Sequence, residues 1–312
     1  MRLPNKVHVT EVGPRDGFQM EQQWIPTDRK VEIIDALSRT GLSEIQATSF
    51  VHPKAVPNLA DAEEVMAKIN RPPGVRYQVL VPNLKGMQHA LIAKPDAVHL
   101  MMSVTESHNR ANANRTVEDS LREFQQLVPV ALEAGIEVEG GLACAFGCPF
   151  EGEVPMERLE SVIGRYLEVG VSGINLGDTI GVGNPRQVYD VCARMLDRFP
   201  DIRWSLHFHN TRDMALANTV AAMQAGMTRF DASLGGMGGC PYAPGATGNV
   251  STEDLVNMLT EMRIETDVDL GGLIAASRML QGLVPHPLDS SIVKAGRRTD
   301  LQPAPNEQEK IG

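Results

Sequence analysis

Positive charge is in deficit in this 312-residue chain, where 29 Lys and Arg stand against 39 Asp and Glu for a formal net charge of -10. Proteins that hold a nucleic-acid backbone usually present a basic surface that displaces counterions, so no nucleic-acid partner is expected. A small anionic substrate bound by one or two local cations remains compatible. Long apolar runs are missing as well. No stretch approaches the roughly 20 apolar residues of a membrane span, and the opening MRLPNKVHV has too short an apolar run for a secretory signal. The expectation is a cytoplasmic protein with no membrane partner. Cysteine is scarce: Cys144, Cys148, Cys192 and Cys240 include no C-x-x-C pair, which removes that form of structural zinc site and fits a reducing compartment. Cys192 reads as a small buried apolar residue.

What is present is an alternation. Short runs rich in Val, Ile and Leu begin at Val7, Glu44, Tyr77, Ala97, Glu137, Gly173, Arg203 and Arg229, separated by longer segments of helical period. In TDRKVEIIDALSRTG, for example, Val31, Ile34, Leu37 and Ser38 are predicted to share one face, with Gly41 marking the stop. Eight β-then-α units with short connections predict a (β/α)₈ TIM barrel, a fold that needs about 250 residues. An open doubly wound sheet is the alternative. Against it, no G-x-G-x-x-G follows the first run, and polar residues gather at the C-terminal ends of many different runs. Residues 1–285 are assigned to the barrel with its terminal helices, TEDLVNMLTEM and LGGLIAASRMLQGL among them. Residues 286–312 form a C-terminal segment whose polar tail, RRTDLQPAPNEQEKIG, is expected to be disordered.

The segment His207-Phe208-His209 closes the seventh run, and period 2 sends both imidazoles to one face. Either histidine alone also reads as a hydrogen-bonded core residue. Asp16 follows the first run in EVGPRDGFQ and Asn249 follows the eighth in GATGNV; each alone reads as a turn residue beside a glycine. A closed barrel makes neighbours of its first and last strands, so all four converge. Two imidazoles, a carboxylate and an amide oxygen suit octahedral Mg²⁺ or Mn²⁺ better than closed tetrahedral zinc, and Zn²⁺ stays open.

Seven segments in order, EVGPRDGFQ, TSFVHPKAVPNLAD, VPNLKG, CAFGCPFEG, LGDTIGVGNP, HFHNT and GGMGGCPYAPGATGN, make the chain similar to a known family. It resembles the 3-hydroxy-3-methylglutaryl-CoA lyases of the DRE-TIM metallolyase superfamily. The resemblance implies a retro-Claisen cleavage of an acyl-CoA substrate, with 3-hydroxy-3-methylglutaryl-CoA giving acetyl-CoA and acetoacetate, and a homo-oligomeric enzyme. It places the metal ligands on Asp16, His207, His209 and Asn249. It places the cation that meets the enolate on Arg15, and a loop thiol that exchanges a proton on Cys240. Glu11 matches an acid that orients the metal-site groups or moves a proton, and Asp178 a residue near the metal. Lys85 in PNLKG is a candidate for the CoA phosphates.

Three departures from the family pattern bear on the substrate. Gln46 stands where a glutamate is usual; an amide cannot act as a base but can accept a hydrogen bond from Arg15. HFHNTRD replaces the usual H-x-H-D-T-x-G, bringing in Asn210 and Asp213. SVTESHNRANANRT places Glu106, His108, Asn109 and Asn112 near the barrel mouth, as acyl-tail contacts or as a solvated loop. The alternatives are a related lyase such as a citramalyl-CoA lyase, a Claisen-type synthase, and a non-catalytic metal- or acyl-CoA-binding homologue. Cys240 favours lyase over synthase, because the synthases carry a different glycine-rich sequence there.

Overall fold

The structure, a computed structural model, describes residues 2–239 and 248–301. Eight strands, β1 His8–Glu11, β2 Glu44–Ser49, β3 Arg76–Leu80, β4 Ala97–Ser103, β5 Glu137–Ala143, β6 Gly173–Asp178, β7 Arg203–Phe208 and β8 Arg229–Ala232, pair in sequence order and close into a barrel. All eight coincide with the apolar runs of the sequence. The seam is parallel like every other junction, with Thr10 beside Asp231 and Glu11 beside Ala232. The barrel helices are α1 Thr27–Ser38, α2 Ala62–Lys68, α3 Leu84–Ala93, α4 Glu106–Ala113, α5 Val117–Glu133, α6 Met156–Glu168, α7 Pro185–Arg198 and α8 Ala215–Ala225. Beyond them lie α9 Thr252–Glu261, α10 Leu270–Gln281 and α11 Ser291–Ala295. Among the described residues, no helix is long and apolar enough to cross a membrane.

Alternation along each strand separates two interiors. Outward residues such as Val9, Ile45, Tyr77, Val98, Val138, Ile174, Leu206 and Phe230 pack against the helices in one continuous apolar shell. Inward residues are largely polar, and Thr10, Glu44, Gln78, His99, Glu139, Asn175 and Asp231 are among those lining the lumen. Bulky aliphatic layers usually fill this space. Here ion pairs do so: Glu44 reaches Arg76 at 2.8 Å and Arg229 at 2.9 Å, and Glu139 reaches Arg76 at 2.9 Å and Arg203 at 2.5 Å. Burial, reinforced by the neighbouring Glu139, pushes the Glu44 carboxyl up to about 7.

One local expectation is corrected. The buried face of α1 comprises Lys30, Ile33, Ile34, Leu37 and Ser38, with Val31 only half-buried. The face is rotated because Lys30 is held inward, its ammonium 2.8 Å from Asp61 Oδ1 and 3.9 Å over the Trp24 ring. Ahead of the polar tail and at its start, side-chain acceptors hold the C-terminal segment. Asp254 accepts from the amides of Ser291 and Ile292 at 2.8 and 2.7 Å, tying down α11, and Asp300 accepts from the Arg297 amide at 2.8 Å. Residues 302–312 lie outside the described residues.

Candidate active site and metal centre

The chain leaves β1 through a single π-helical turn, Gly13–Gly17, in which the Asp16 amide still bonds Val12 O at 2.7 Å. The widened turn brings both Arg15 and Asp16 to the mouth of the barrel, where each is about 5% exposed. Such one-turn π segments recur at functional sites because they re-aim side chains without ending the backbone ladder. Glu11 anchors the turn from below. Its Oε1 accepts from the amides of Gly13 at 2.7 Å and Leu234 at 2.8 Å, and its Oε2 from Thr252 Oγ1 at 2.6 Å. Burial pushes this carboxyl up to about 7 despite those three donors. Glu11 thus ties together the loops that follow β1 and β8.

His207 and His209 stand at the end of β7, ring centroids 5.2 Å apart, while Phe208 points outward and meets Phe146 at 5.8 Å. Asn249 arrives by an indirect path. After β8 the chain returns so that Asn249 bridges His209 antiparallel and Val250 N donates to Phe208 O at 3.1 Å. Asn249 Nδ2 donates to Asp16 Oδ2 at 2.7 Å and to Met237 O at 2.8 Å. A carbonyl only accepts, so the amide orientation is fixed and Oδ1 is left bare.

Donor atoms of Asp16, His207 and His209 lie within 4.8 Å of one another. Asn249 Oδ1 and His209 Nδ1 are buried with no hydrogen-bond partner among the described residues. Buried polar atoms are rarely left unpaired, and two in one cluster of hard and borderline donors fit a divalent cation. The electrostatics agree. Burial acts against the Asp16 anion, but Arg15, His207 and His209 outweigh it and the carboxyl falls below its ordinary range. Burial, with His207 beside it, drives the His209 imidazole down to about 3, leaving it neutral. For His207 burial is overcome by Asp231 and Asp16, and its pKa rises. Asp231 Oδ2, 3.2 Å from His207 Nδ1, takes that N–H and directs the bare Nε2 toward Asp16 Oδ2, 3.9 Å away.

A consequence is measurable. Below the raised pKa of His207 a metal must displace its proton, whereas His209 has none to lose. Titration by calorimetry in buffers of different ionisation enthalpy should show about one proton released per metal near pH 6, fading at higher pH, with affinity rising over the same interval. Release of two protons, or of none, would contradict this charge state.

Two glycines keep the site open. Gly238 has φ +107°, and a Cβ there would stand 3.0 Å from Asp16 Oδ2 and collide with Asn249 Nδ2; Gly248, φ +106°, would drive one into the Gly236 carbonyl. Cys240 falls between them, at position 240 of the 240–247 segment outside the described residues.

The other anticipated residues occupy distinct places. Asp178 turns its carboxylate to the amides of Val182 and Gly183, both at 2.9 Å, and so shapes the loop after β6; burial lifts it to about 6. Its backbone carbonyl accepts from the His209 amide at 3.4 Å, and its carboxyl lies close enough to His207 to feel that imidazole's charge. Gln46 is inside, accepting from Arg15 Nε. Lys85 is exposed on the first turn of α3 and shares no hydrogen bond with the metal cluster among the described residues. Asn210 serves the entry to α8, accepting from the Ala215 amide at 3.1 Å and donating to Asp213 at 3.2 Å. In the fourth connection, Glu106 accepts from Val117 N at 2.9 Å, and Asn109 from Ser103 N at 2.9 Å. His108 Nδ1 sits 2.6 Å from Ser103 Oγ. These three bond within the loop itself, while Asn112 is exposed. Asp231, Gln78 and Gln19, which donates to Asp16 Oδ1 at 2.9 Å, were not anticipated. Asp231 was within reach of the sequence, being the residue of β8 that pairs with His207 in a closed register.

The HMGL-like family model matches residues 6–280. The chain belongs to the HMGL-like family. It is 47% identical to a hydroxymethylglutaryl-CoA lyase of Bacillus subtilis, covering 93% of this chain and 97% of that protein. It is 41% identical to the cytoplasmic 3-hydroxy-3-methylglutaryl-CoA lyase of Rattus norvegicus, covering 96% and 88%. A solved HMG-CoA lyase of Acinetobacter baumannii, in complex with coenzyme A and 3-methylmalate, superimposes with a TM-score of 0.93 at 45% identity, covering 98% of this chain and all of that one.

Proposed function

We propose that this HMGL-like protein is a hydroxymethylglutaryl-CoA lyase, cleaving 3-hydroxy-3-methylglutaryl-CoA to acetyl-CoA and acetoacetate. The observation that carries the reading is the meeting, at one barrel mouth, of a cation-ready donor set with a buried guanidinium: Arg15 Nη1 is ion-paired to Asp16 itself. Asp16, His207, His209 and Asn249 would hold Mg²⁺ or Mn²⁺. When bound, the ion supplies Lewis acidity toward the substrate's hydroxyl and carboxylate. Loss of the hydroxyl proton turns the C–O⁻ into a carbonyl as the neighbouring carbon–carbon bond breaks, and its electron pair passes to the thioester as an enolate. Arg15 stands ready for that oxygen, in a site where water is excluded and a fixed cation acts strongly. Cys240 is assigned the return of a proton to the enolate carbon, on the strength of the family resemblance. Cytoplasmic location and homo-oligomeric assembly belong to the same reading.

Gln46 favours a second substrate. An amide in place of the usual glutamate alters the pocket, and a relative binds 3-methylmalate with coenzyme A, so citramalyl-CoA, which would release pyruvate, belongs in the assay. Incubation of the metal-loaded enzyme with a panel of 3-hydroxy-3-carboxyl acyl-CoAs should release acetyl-CoA and acetoacetate fastest from 3-hydroxy-3-methylglutaryl-CoA, and excess chelator should stop it. Pyruvate as the dominant keto acid would move the assignment to the second substrate. Free CoA formed from acetyl-CoA and a 2-oxo acid would move it to a synthase, and metal binding without turnover to a non-catalytic homologue.

A further inference from the structure

Arg15 is the first member of a row of side chains that crosses the lumen. Its Nε donates to Gln46 Oε1 on β2; Gln46 Nε2 donates to Gln78 Oε1 on β3; and Gln78 Nε2 donates to Glu139 Oε2 on β5 at 2.7 Å. Gln46 and Gln78 are 1% and 2% exposed, so water does not substitute for either bond. Both ends of the row fix its direction. A guanidinium only donates and the Glu139 carboxylate only accepts, which leaves one orientation for each amide between them. The two amide dipoles are therefore aligned head to tail, each polarising the next.

We propose that Gln78 and Glu139 are positioning residues for Arg15, acting through Gln46, and that this row does at Nε the orienting that a carboxylate at position 46 would otherwise do. The inference rests on the lyase reading for its kinetic arm alone. An amide oxygen orients Nε–H without adding a second negative charge to a guanidinium whose Nη1 already pairs with Asp16, so more of the Arg15 charge stays available to the enolate. The negative end of the row is spent elsewhere, since Glu139 Oε1 is taken by Arg76 at 2.9 Å and Arg203 at 2.5 Å. The same logic makes Gln46→Glu unfavourable here. The new carboxylate would meet the Gln78 carbonyl, acceptor against acceptor, and turning the Gln78 amide would only move that clash to Glu139. Pairing it with Glu139→Gln restores a consistent row of reversed charge placement, with Gln78 donating to position 46 and position 139 donating to Gln78.

In the metal-loaded enzyme, Gln78→Leu and Gln46→Glu should each lower kcat about tenfold while KM moves less than about threefold. Gln46→Glu/Glu139→Gln should recover a substantial part of the loss seen in Gln46→Glu. A Gln46→Glu enzyme at least as fast as the parent, or a double variant no better than Gln46→Glu, overturns the proposal. A parent inactive on every acyl-CoA would speak against the lyase reading, so the row is also read without turnover. The Arg15 Nε–H signal in NMR spectra, assigned by its loss in Arg15→Lys, should exchange with solvent at least about tenfold faster in Gln78→Leu. Unchanged exchange overturns the proposal whatever the substrate. Should Gln78→Leu fail to fold, Gln78→Glu keeps the side-chain size, removes the donor to Glu139 and is expected to act in the same direction.

Discussion

Replacing His209 with alanine is expected to lower metal-supported turnover by at least about a thousandfold, about 4 kcal/mol of barrier, while the barrel stays folded. The size of the first effect follows from the ligand role. His209 is neutral, its Nδ1 has no protein acceptor among the described residues, and it lies within the donor cluster with Asp16 and His207. Removing one of four donors weakens the ion and misplaces whatever it orients. The stability half follows from where the packing lies. Phe208, not His209, carries that stretch of β7 into the apolar shell, and the Val250–Phe208 backbone bond is untouched. The unfolding midpoint of the metal-free variant should stay within a few degrees of the parent. Calorimetric metal affinity and kcat with Mg²⁺ or Mn²⁺ measure the two halves. Unchanged affinity would remove His209 from the ligand set.

The second large effect belongs to Arg15. Arg15→Met keeps most of the volume and deletes the cation, and kcat should fall by about 10²- to 10³-fold, the range seen when one stabiliser of a developing oxyanion is lost. KM should change little if the guanidinium acts chiefly on the enolate. Metal affinity should hold or increase, because Asp16 is freed from its ion pair. Arg15→Lys should fall between the two, since an ammonium keeps the charge but cannot span Gln46 and Asp16 at once as the planar fork does. Full activity in Arg15→Met would assign the enolate's counter-charge to another group.

Strand positions were legible because each apolar run faces the helical shell on one side and needs little else to be a strand. The convergence of Asp16, His207, His209 and Asn249 was legible because the two histidines fall two apart and the other two follow the strands on either side of the seam. The route of Asn249 was not: nothing in GATGNV says that the chain doubles back to bridge His209. Nor was the π turn, since Gly13 to Gly17 reads equally well as an ordinary tight turn. The row through Gln78 and Glu139 depends on the stagger between strands, and a register shift in β2 between Gln46 and Thr48 sets which inward side chains meet. Composition and period carry no record of such a shift. Lys30 misled for a simpler reason, that a charged residue inside a helix face is read as exposed until its partners Asp61 and Trp24 are known.

The seam between β1 and β8 is where the barrel closes, and it is also where the donors gather. Asp16 and Asn249 are separated by 233 positions, and Glu11 and Thr252, on the same two sides, by 241. A cation shared across that join acts as a clasp on the whole chain. An ion that binds only the closed barrel would favour the native state by mass action, growing with free metal above its dissociation constant. Fraying of the seam dismantles the donor set before any other strand pair needs to part. The barrel would fold without the ion, but a chain that opened at this seam would scatter its donors.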